Sequence, residues 1–594
     1  MPGAQIIARL NERYYEKMKR KKNYPLYETT VFRDFRVMTE QAANLHGNDT
    51  ALSYKKNPND AETVKISFNQ AREDIRNFGT ECISMGLRDK KCAIIGTGSV
   101  GWIYSYFALM SIGAVTVPID KELPAHEMAS IIERAGCAAV FYGAEIGGKL
   151  DHLKSNTHAT IFVCVNGEQS VADGAAADMT AADLISRGGE KFASGDNSYY
   201  DYEIDPDRLA SIVFTSGTTG KGKGVMLSQT NIVSDMTQGM YNFAITKKTM
   251  NLLPPHHTFG STVNYVGHFS QGCEIYISSG LRYMLKEMQE QKPTHLILVP
   301  LFVETIYRRI WATAEKTGAA EKLKKGIRIS NALRKIGIDK RRKLFADVLN
   351  TFGGKVTMII CGGAALNQDI IDFFDAIGIT ILNGYGITEC APLISCNRNE
   401  LQYSGSVGIP IIGEEVKIKD PDENGEGEIC VKGPNVMLGY FEDPEATAAA
   451  FDEDGFFRTG DYGRIEDVDG DKWIYITGRL KNLIIFSNGK NVYPEEIETE
   501  LSRIRGVLEV VVYAGESKKD PQKEVIVAEI YPDYEQLETD GVSDIQAYFN
   551  EHVKDANARM APYKKVGLVK VRKTEFTKNT SKKITRFNID KSID

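Results

Sequence analysis

Short apolar runs rich in β-branched residues recur between Ala138 and Gly386: "AAVFYG", "ATIFVCV", "LASIVFTS", "EIYISS", "HLILVP", "VTMIICGG" and "ITILNGYG". Helical patterns separate them. Their shortness and near-continuous hydrophobicity predict parallel strands covered by helices on both faces. The uncharged run from Ala93 to Ile119 is long enough for a membrane span, but Gly96, Gly98, Gly101 and Gly113 interrupt it. It divides better into a strand ("CAIIG"), a buried helix ("GWIYSYFALMSIG") and a second strand ("AVTVPI"). After about Ser404 the texture changes to Gly- and Asp-rich turns between alternating strands, as in "GRIEDVDGDKWIYITG", which predicts a small β subdomain. Beyond "GRLKN" come a helix ("PEEIETELSRI"), two strands ("VLEVVVYAG", "EVIVAEIYP"), a final helix and a basic tail. The expected architecture is α/β: a large multi-subdomain N-terminal α/β region over 1–480, with its β subdomain at about 404–478, and a compact α+β C-terminal domain over 481–594 behind a short hinge.

Composition narrows the class without changing that picture. With 25% charged and 42% hydrophobic residues in 594, the chain is neither disordered nor fibrous, and its length suffices for a large core. A net charge of −7 gives no global attraction to nucleic acid, so none is expected as a partner. The nine cysteines are scattered without C-x-x-C pairs or neighbouring histidine spacing, and read as reduced, buried thiols of a cytosolic chain rather than a disulfide frame or zinc site. The basic opening "MPGAQIIARLNERYYEKMKRKK" lacks the apolar core of a secretory signal.

Candidate chemistry begins at "TSGTTGKGKG". Gly217, Gly222 and Lys223 have Walker A spacing, but Gly224 stands where that loop needs a magnesium-binding hydroxyl. The hydroxyls of Thr215, Ser216, Thr218 and Thr219 precede the lysines instead, and with the glycines they still suit a phosphate cradle. "LPPHHTFG" sets His256 and His257 beside Phe259 and Gly260, with no carboxylate nearby in the sequence, as a candidate pocket wall. "NGYGITECAP" offers the flat ring of Tyr385, with Thr388 and Glu389 just after it. "FRTGDYGRI" presents Asp461 in a Gly-flanked turn, suited to a pair of adjacent hydroxyls. Arg479 and Lys481 lie in "GRLKN", and "TKNTSKKITR" near the end carries Lys582, Lys583 and Arg586.

Taken in order and at these separations, the motifs resemble the adenylate-forming (AMP-binding) superfamily, over about Thr29 to Ile589. The first loop is similar to its "TSGTTGxPKG" pattern, with Gly222 in the usual proline's place, which leaves the loop looser. The resemblance implies a carboxylate attacking the α-phosphate of ATP to give acyl-adenylate, followed by acyl transfer to a thiol such as that of CoA. It further implies that Thr215, Ser216, Gly217, Thr218, Thr219, Gly220 and Lys223 hold the β- and γ-phosphates, that Tyr385 stacks on adenine, and that Thr388 binds the α-phosphate. Glu389 is implied to bind Mg2+, and Asp461 with Arg479 the ribose. Lys583 would bridge carboxylate and α-phosphate, with Lys582 replacing the pattern's glycine beside it. The C-terminal domain is implied to be mobile about Lys481, so that it exchanges Lys583 for the segment whose Gly489 lines the thiol channel.

The likeness extends to the long-chain fatty acyl-CoA synthetase branch through "KPTHLILVPLFVETIYRRI" and the helical insertion before "CGGAAL". The matching place near the histidines carries no Asp for a substrate ammonium, which argues against an amino acid. His257, Gly260, Gly362, Gly363, Ala364 and Ala365 are candidates for the acyl wall. Within the insertion, 322–343 holds ten basic residues and one acid with Ile327, Leu333, Ile336 and Ile338 between them. That pattern suits either a peripheral contact with the inner membrane face or a solvated cover of the acyl channel. Three alternatives remain: loading of an acyl-carrier protein instead of CoA, a P-loop NTPase, which Gly224 opposes, and a noncatalytic lipid-binding module, which the intact Glu389, Asp461 and Lys583 oppose.

Overall fold

The uncharged run folds as strand Lys91–Ile95, helix Val100–Ser111 and strand Val115–Ile119 in a computed structural model. The structure describes residues 26–167, 179–215, 222–486, 491–519, 525–578, 584–586 and 589–593. Ser99 caps the helix by accepting the Trp102 N–H at 3.1 Å, and every residue from Gly101 to Ser111 is buried. Gly101 is required by contact: a Cβ there would lie 1.6 Å from the Val165 carbonyl oxygen. Such all-round burial within protein explains the all-round hydrophobicity. Among the described residues no helix is long and apolar enough to cross a membrane.

Two compact units emerge, one of Met1–Glu415 with Val431–Phe457 and the other of Val416–Cys430 with Arg458–Asp594. In the large unit an eight-stranded sheet runs, edge to edge, through Gly439–Tyr440, Lys223–Ser228, Leu209–Thr215, Val115–Ile119, Lys91–Ile95, Ala139–Tyr142, Ile161–Cys164 and Met179–Thr180. It is parallel from Leu209–Thr215 onward and antiparallel at the other two strands. A second sheet joins His295–Leu298, Met358–Cys361 and Thr380–Gly386 in parallel, then Leu393–Cys396 and Ile409–Pro410 antiparallel. A third contains Lys248–Asn251, Glu274–Ile277, Thr50–Tyr54 and Val64–Ser67. All seven runs expected to be strands are strands.

Helix Gln229–Asn242 positions part of the candidate site. It opens with a capping box between Ser228 and Asn231, and the Asn231 amide also donates to the carbonyls of Pro434 and Val436 at 2.8 and 2.9 Å. One residue further on, the Met437 N–H donates to the Glu389 carbonyl at 2.8 Å. The insertion forms helix Ala320–Lys335, which stops before Gly337 (φ +78°), and a short helix Arg341–Leu344. Leu323 and Ser330 face inward, whereas Ile329, Ile336, Ile338 and Leu344 are exposed among the lysines.

The small unit pairs strands Glu415–Lys419, Gly427–Lys432, Phe457–Val468 and Asp471–Arg479 in one sheet. Its second sheet has Val507–Ala514 antiparallel to Ile526–Pro532 and Val566–Val571 parallel to it. Ile497, Leu501, Val512, Ile530, Phe549 and Val553 form the core beneath helices Pro494–Leu501 and Ile545–Arg559. Tyr462 and Tyr493 stack with centroids 4.7 Å apart, so the hairpin and the following α+β segment pack as one body.

Candidate active site

The described ends of the candidate phosphate loop are held by strand pairing. Thr215 and Lys223 face each other across antiparallel strands, and the Thr215 hydroxyl donates to the Lys223 carbonyl at 3.4 Å. A Cβ on Gly222 would approach the Thr215 carbonyl oxygen to 2.6 Å, so this backbone accommodates glycine where the family pattern has proline. Arg134 steadies the same point by donating from Nη1 to the Gly222 carbonyl at 2.9 Å. Ser216, Gly217, Thr218, Thr219 and Gly220 lie outside the described residues, as do Gly489 and Lys583.

Glu389 belongs to a short 3-10 turn, Thr388–Cys390, just after strand Thr380–Gly386. The buried Tyr440 hydroxyl donates to Glu389 Oε1 at 3.0 Å, and Lys223 Nζ stands 4.4 Å from the centroid of the Tyr440 ring. Burial, and then the Glu389 carboxylate, push the Tyr440 phenol upward, so it stays a donor through the physiological range. One half-buried carboxylate oriented by a phenol, with a lysine alongside, fits a magnesium polyphosphate: an anionic ligand for the cation and a cation for the phosphates. Local sequence does not mark Tyr440: the acids of "GYFEDP" lead into the next helix, which Asp443 caps, and only the fold sets the phenol beside Glu389.

Three segments that carry expected site residues meet at Gly362. A Cβ there would sit 3.3 Å from the Gly384 carbonyl and 3.4 Å from the Phe259 ring, so the histidine loop, the Gly362–Gly363 turn and the Tyr385 strand meet at one point. Gly363 has φ +91°, and a Cβ on Gly260 would be 2.2 Å from the Pro254 carbonyl oxygen. Tyr385 itself is 6% exposed. Phe259–Val266 is wound as a π-helix, a form frequent at functional sites. A carboxylate distant in the sequence reaches the histidines in the fold. Asp120, from the end of strand Val115–Ile119, places Oδ2 3.5 Å from His256 Nε2, both side chains buried, and the His256 and His257 rings lie 4.3 Å apart. Burial lowers the His256 pKa, with Asp120 opposing. Local sequence hides Asp120 because sheet order, not chain proximity, delivers it.

In the small unit Asp461 and Arg479 are register partners, and Arg479 Nε lies 3.0 Å from Asp461 Oδ1. Asp461 is 3% exposed and its N–H donates to the Thr459 hydroxyl at 3.0 Å. Lys481, two residues on, is held below the usual lysine range by desolvation first and by the Arg479 guanidinium second.

Family comparison decides what these motifs belong to: residues 39–441 match the model described as AMP-binding enzyme. The chain belongs to the AMP-binding enzyme family. It is 29% identical over 535 residues to "Long-chain-fatty-acid--CoA ligase 5" of Rattus norvegicus, covering 82% of this chain and 74% of that one. It is 28% identical over 544 residues to "Long-chain-fatty-acid--[acyl-carrier-protein] ligase AEE15, chloroplastic" of Arabidopsis thaliana, covering 80% and 74%. Among solved structures, the anthranilate CoA ligase AuaEII in complex with anthranoyl-AMP superposes with a TM-score of 0.73 at 19% identity, covering 95% of this chain and 97% of that one. At that identity the superposition establishes the fold, a large N-terminal part with a smaller C-terminal one.

Family membership gives Glu389, Tyr440 and Lys223 a shared context without assigning their roles. Thr215, Lys223, Thr388, Glu389 and Tyr385 all belong to the large unit, whereas Asp461, Arg479 and Lys481 belong to the small one.

Proposed function

We propose that this enzyme activates a medium- or long-chain fatty acid with ATP and passes the acyl group to the thiol of CoA. The carboxylate oxygen attacks the α-phosphorus, the bond to the β-phosphate oxygen breaks, and pyrophosphate leaves with the electron pair. In the second step the thiol sulfur attacks the acyl carbon, AMP leaves, and the thiol proton passes to solvent. The observation that carries the reading is the Tyr440–Glu389–Lys223 cluster beside the strand pair of the phosphate loop. Bringing two anions together asks for positioned cations and donors more than for a protein nucleophile. Glu389 would hold Mg2+, which when bound supplies charge neutralisation on the phosphates, and Tyr440 keeps the carboxylate aimed. Thr388 would meet the α-phosphate, Tyr385 the adenine, Asp461 and Arg479 the ribose. Lys583 would serve the first step, Gly489 the second, with Lys481 as hinge. The Gly362 convergence supports an acyl wall of small residues with His257, Gly260, Gly363 and Ala364.

The test is acid-dependent ATP–pyrophosphate exchange across acetate, octanoate, palmitate, benzoate and amino acids. Exchange with fatty acids is expected, while phosphate release from ATP without any acid would replace the reading with an NTPase. Acyl-carrier protein is the second acceptor, favoured by the likeness to the Arabidopsis ligase. Comparing product formation with CoA and with carrier protein decides between them.

The same proposal includes a peripheral contact with an anionic bilayer. Ile329, Ile336, Ile338 and Leu344 are 53%, 69%, 41% and 45% exposed, in a stretch whose Lys322, Lys325, Arg328, Lys335, Lys340 and Lys343 are exposed as well. Apolar side chains for the acyl boundary and lysines for the headgroups make a membrane-surface pattern. Charge reversal at Lys335, Lys340 and Lys343 should abolish cosedimentation with phosphatidylglycerol vesicles, and unchanged binding would leave 322–343 as channel cover.

A further inference from the structure

Directly after the π-helix Phe259–Val266, the large unit buries a histidine against a second histidine and a cysteine. His268 lies in the short helix Gly267–Ser270, Cys273 follows it, and His295 opens strand His295–Leu298; each is at most 2% exposed. The His268 and His295 Nε2 atoms are 2.6 Å apart, with the rings stacked at 4.9 Å and 12°. One ligand atom from each of the three residues lies within 4.8 Å of the other two. A tight turn at Gly272 (φ +71°) folds Cys273 back, its N–H donating to the His268 carbonyl at 3.0 Å.

Counting hydrogens shows what this arrangement lacks. His268 Nδ1 is 3.0 Å from the Val263 carbonyl oxygen, which can only accept, so Nδ1 carries the ring hydrogen and Nε2 a bare lone pair. On the other ring, His295 Nδ1 is 2.6 Å from the Thr246 hydroxyl, which is 2.6 Å from the Thr294 hydroxyl, which is 3.0 Å from the Lys248 carbonyl. Three contacts need three hydrogens and the two hydroxyls supply two. The third therefore sits on His295 Nδ1, and the chain of donors runs from it through Thr246 and Thr294 to the carbonyl. His295 Nε2 is then a second bare lone pair, aimed at the first. Two such lone pairs at 2.6 Å repel unless an electrophile lies between them. A shared proton would bury a unit of positive charge, which costs several kcal/mol when unpaired. Glu274, next to Cys273 in the chain, is already matched with Lys248 at 2.9 Å.

We propose that His268, His295 and Cys273 form a closed site for a thiophilic closed-shell cation, copper(I) or zinc(II). Both histidines show the outer arrangement of metal ligands, the second ring nitrogen donating to a carbonyl or hydroxyl that sets the tautomer. On loading, the Cys273 thiol releases its proton to solvent and the cation binds one sulfur and two nitrogens, with no change of oxidation state. Bonds of about 2.0 Å to both nitrogens open the pair to roughly 3.3 Å, so the rings part by several tenths of an ångström. Two neutral imidazoles and one thiolate cancel the charge of copper(I) and leave zinc(II) one unit positive, which favours copper(I) in a buried place. The sequence spacing, His-x4-Cys followed at a distance by the second His, gives no paired motif.

Because the site is buried, loading belongs to folding, and the test uses full-length protein expressed with added copper and, separately, with added zinc. After removal of loosely held metal by chelator, about one equivalent should remain, with at least roughly ten-fold less in Cys273→Ser. X-ray absorption of the wild type should show one sulfur and two nitrogens. Retention of copper over zinc confirms the charge argument, and the reverse order overturns it while keeping the ligand set. Less than about a tenth of an equivalent in the wild type, or a shell without sulfur, overturns the site itself. The wild-type spectrum decides even where the variant fails to fold.

Discussion

The carboxylates expected at the two ends of the nucleotide are built in opposite ways. Asp461 is set by a hairpin: strands Phe457–Val468 and Asp471–Arg479 turn through Asp469 and Gly470, both with positive φ, and register alone brings Arg479 opposite. An Asp-Gly pair between alternating strands is the strongest short-range hairpin signal, so this half is local. Glu389 instead depends on three separate elements: its own turn, the strand Gly439–Tyr440 that brings the phenol, and the strand Lys223–Ser228 that brings the lysine. Asn231 ties the neighbouring chain in place from a fourth. A local pair tolerates change elsewhere; an assembled one inherits every packing error of its supports.

Substitutions at the two carboxylates and their supports test the difference. The largest effect is expected from Glu389→Ala, which removes the carboxylate proposed to hold Mg2+ and should lower ATP–pyrophosphate exchange by about a thousand-fold. Full retention would take Glu389 out of the site. Asp461→Asn should cost roughly ten- to a hundred-fold, the worth of one charge-assisted hydrogen-bond partner, as an increase in KM for ATP. Tyr440→Phe leaves every ligand in place but frees the carboxylate, so apparent Mg2+ affinity should fall about ten-fold while saturating Mg2+ restores turnover. A loss that Mg2+ cannot restore would make Tyr440 part of the chemistry. Gly222→Pro should raise KM for ATP a few-fold, because overpacking against the Thr215 carbonyl is worth about 1 kcal/mol; a lower KM would show that the loop prefers the family's usual residue.

The smallest effect concerns pH. Burial depresses the folded-state pKa of His256 below the ordinary histidine value of about 6.5, so the unfolded chain binds the proton first and stability falls as pH drops below that value. Urea denaturation at pH 7.5 and 5.5 should show this loss diminished in His256→Gln. An identical loss in the variant would assign it to other groups, among them the buried His268 and His295.

Much of the fold was legible in the chain because period and punctuation are local. The run from Ala93 to Ile119 read correctly as strand, helix and strand, since its glycines interrupt any continuous span. The insertion read as basic and amphipathic, and the helix Ala320–Lys335 does turn Leu323 inward and Ile329 outward. The helix breaks before Gly337, a glycine just past the last turn being the usual stop, although the basic pattern continues through it.

Ordered motifs, whose residue types suit phosphates, a ribose and a divalent cation, carry the class of chemistry in the chain itself, and hydrophobic runs carry the strands. The partners come from the folded arrangement: Asp120 beside His256, Tyr440 beside Glu389, and the histidine pair beside Cys273. The physical reason is range. Backbone periodicity reports which face of an element is buried, whereas the residue it meets there is chosen by sheet order and connection geometry, across separations at which neighbouring residues carry no record of it.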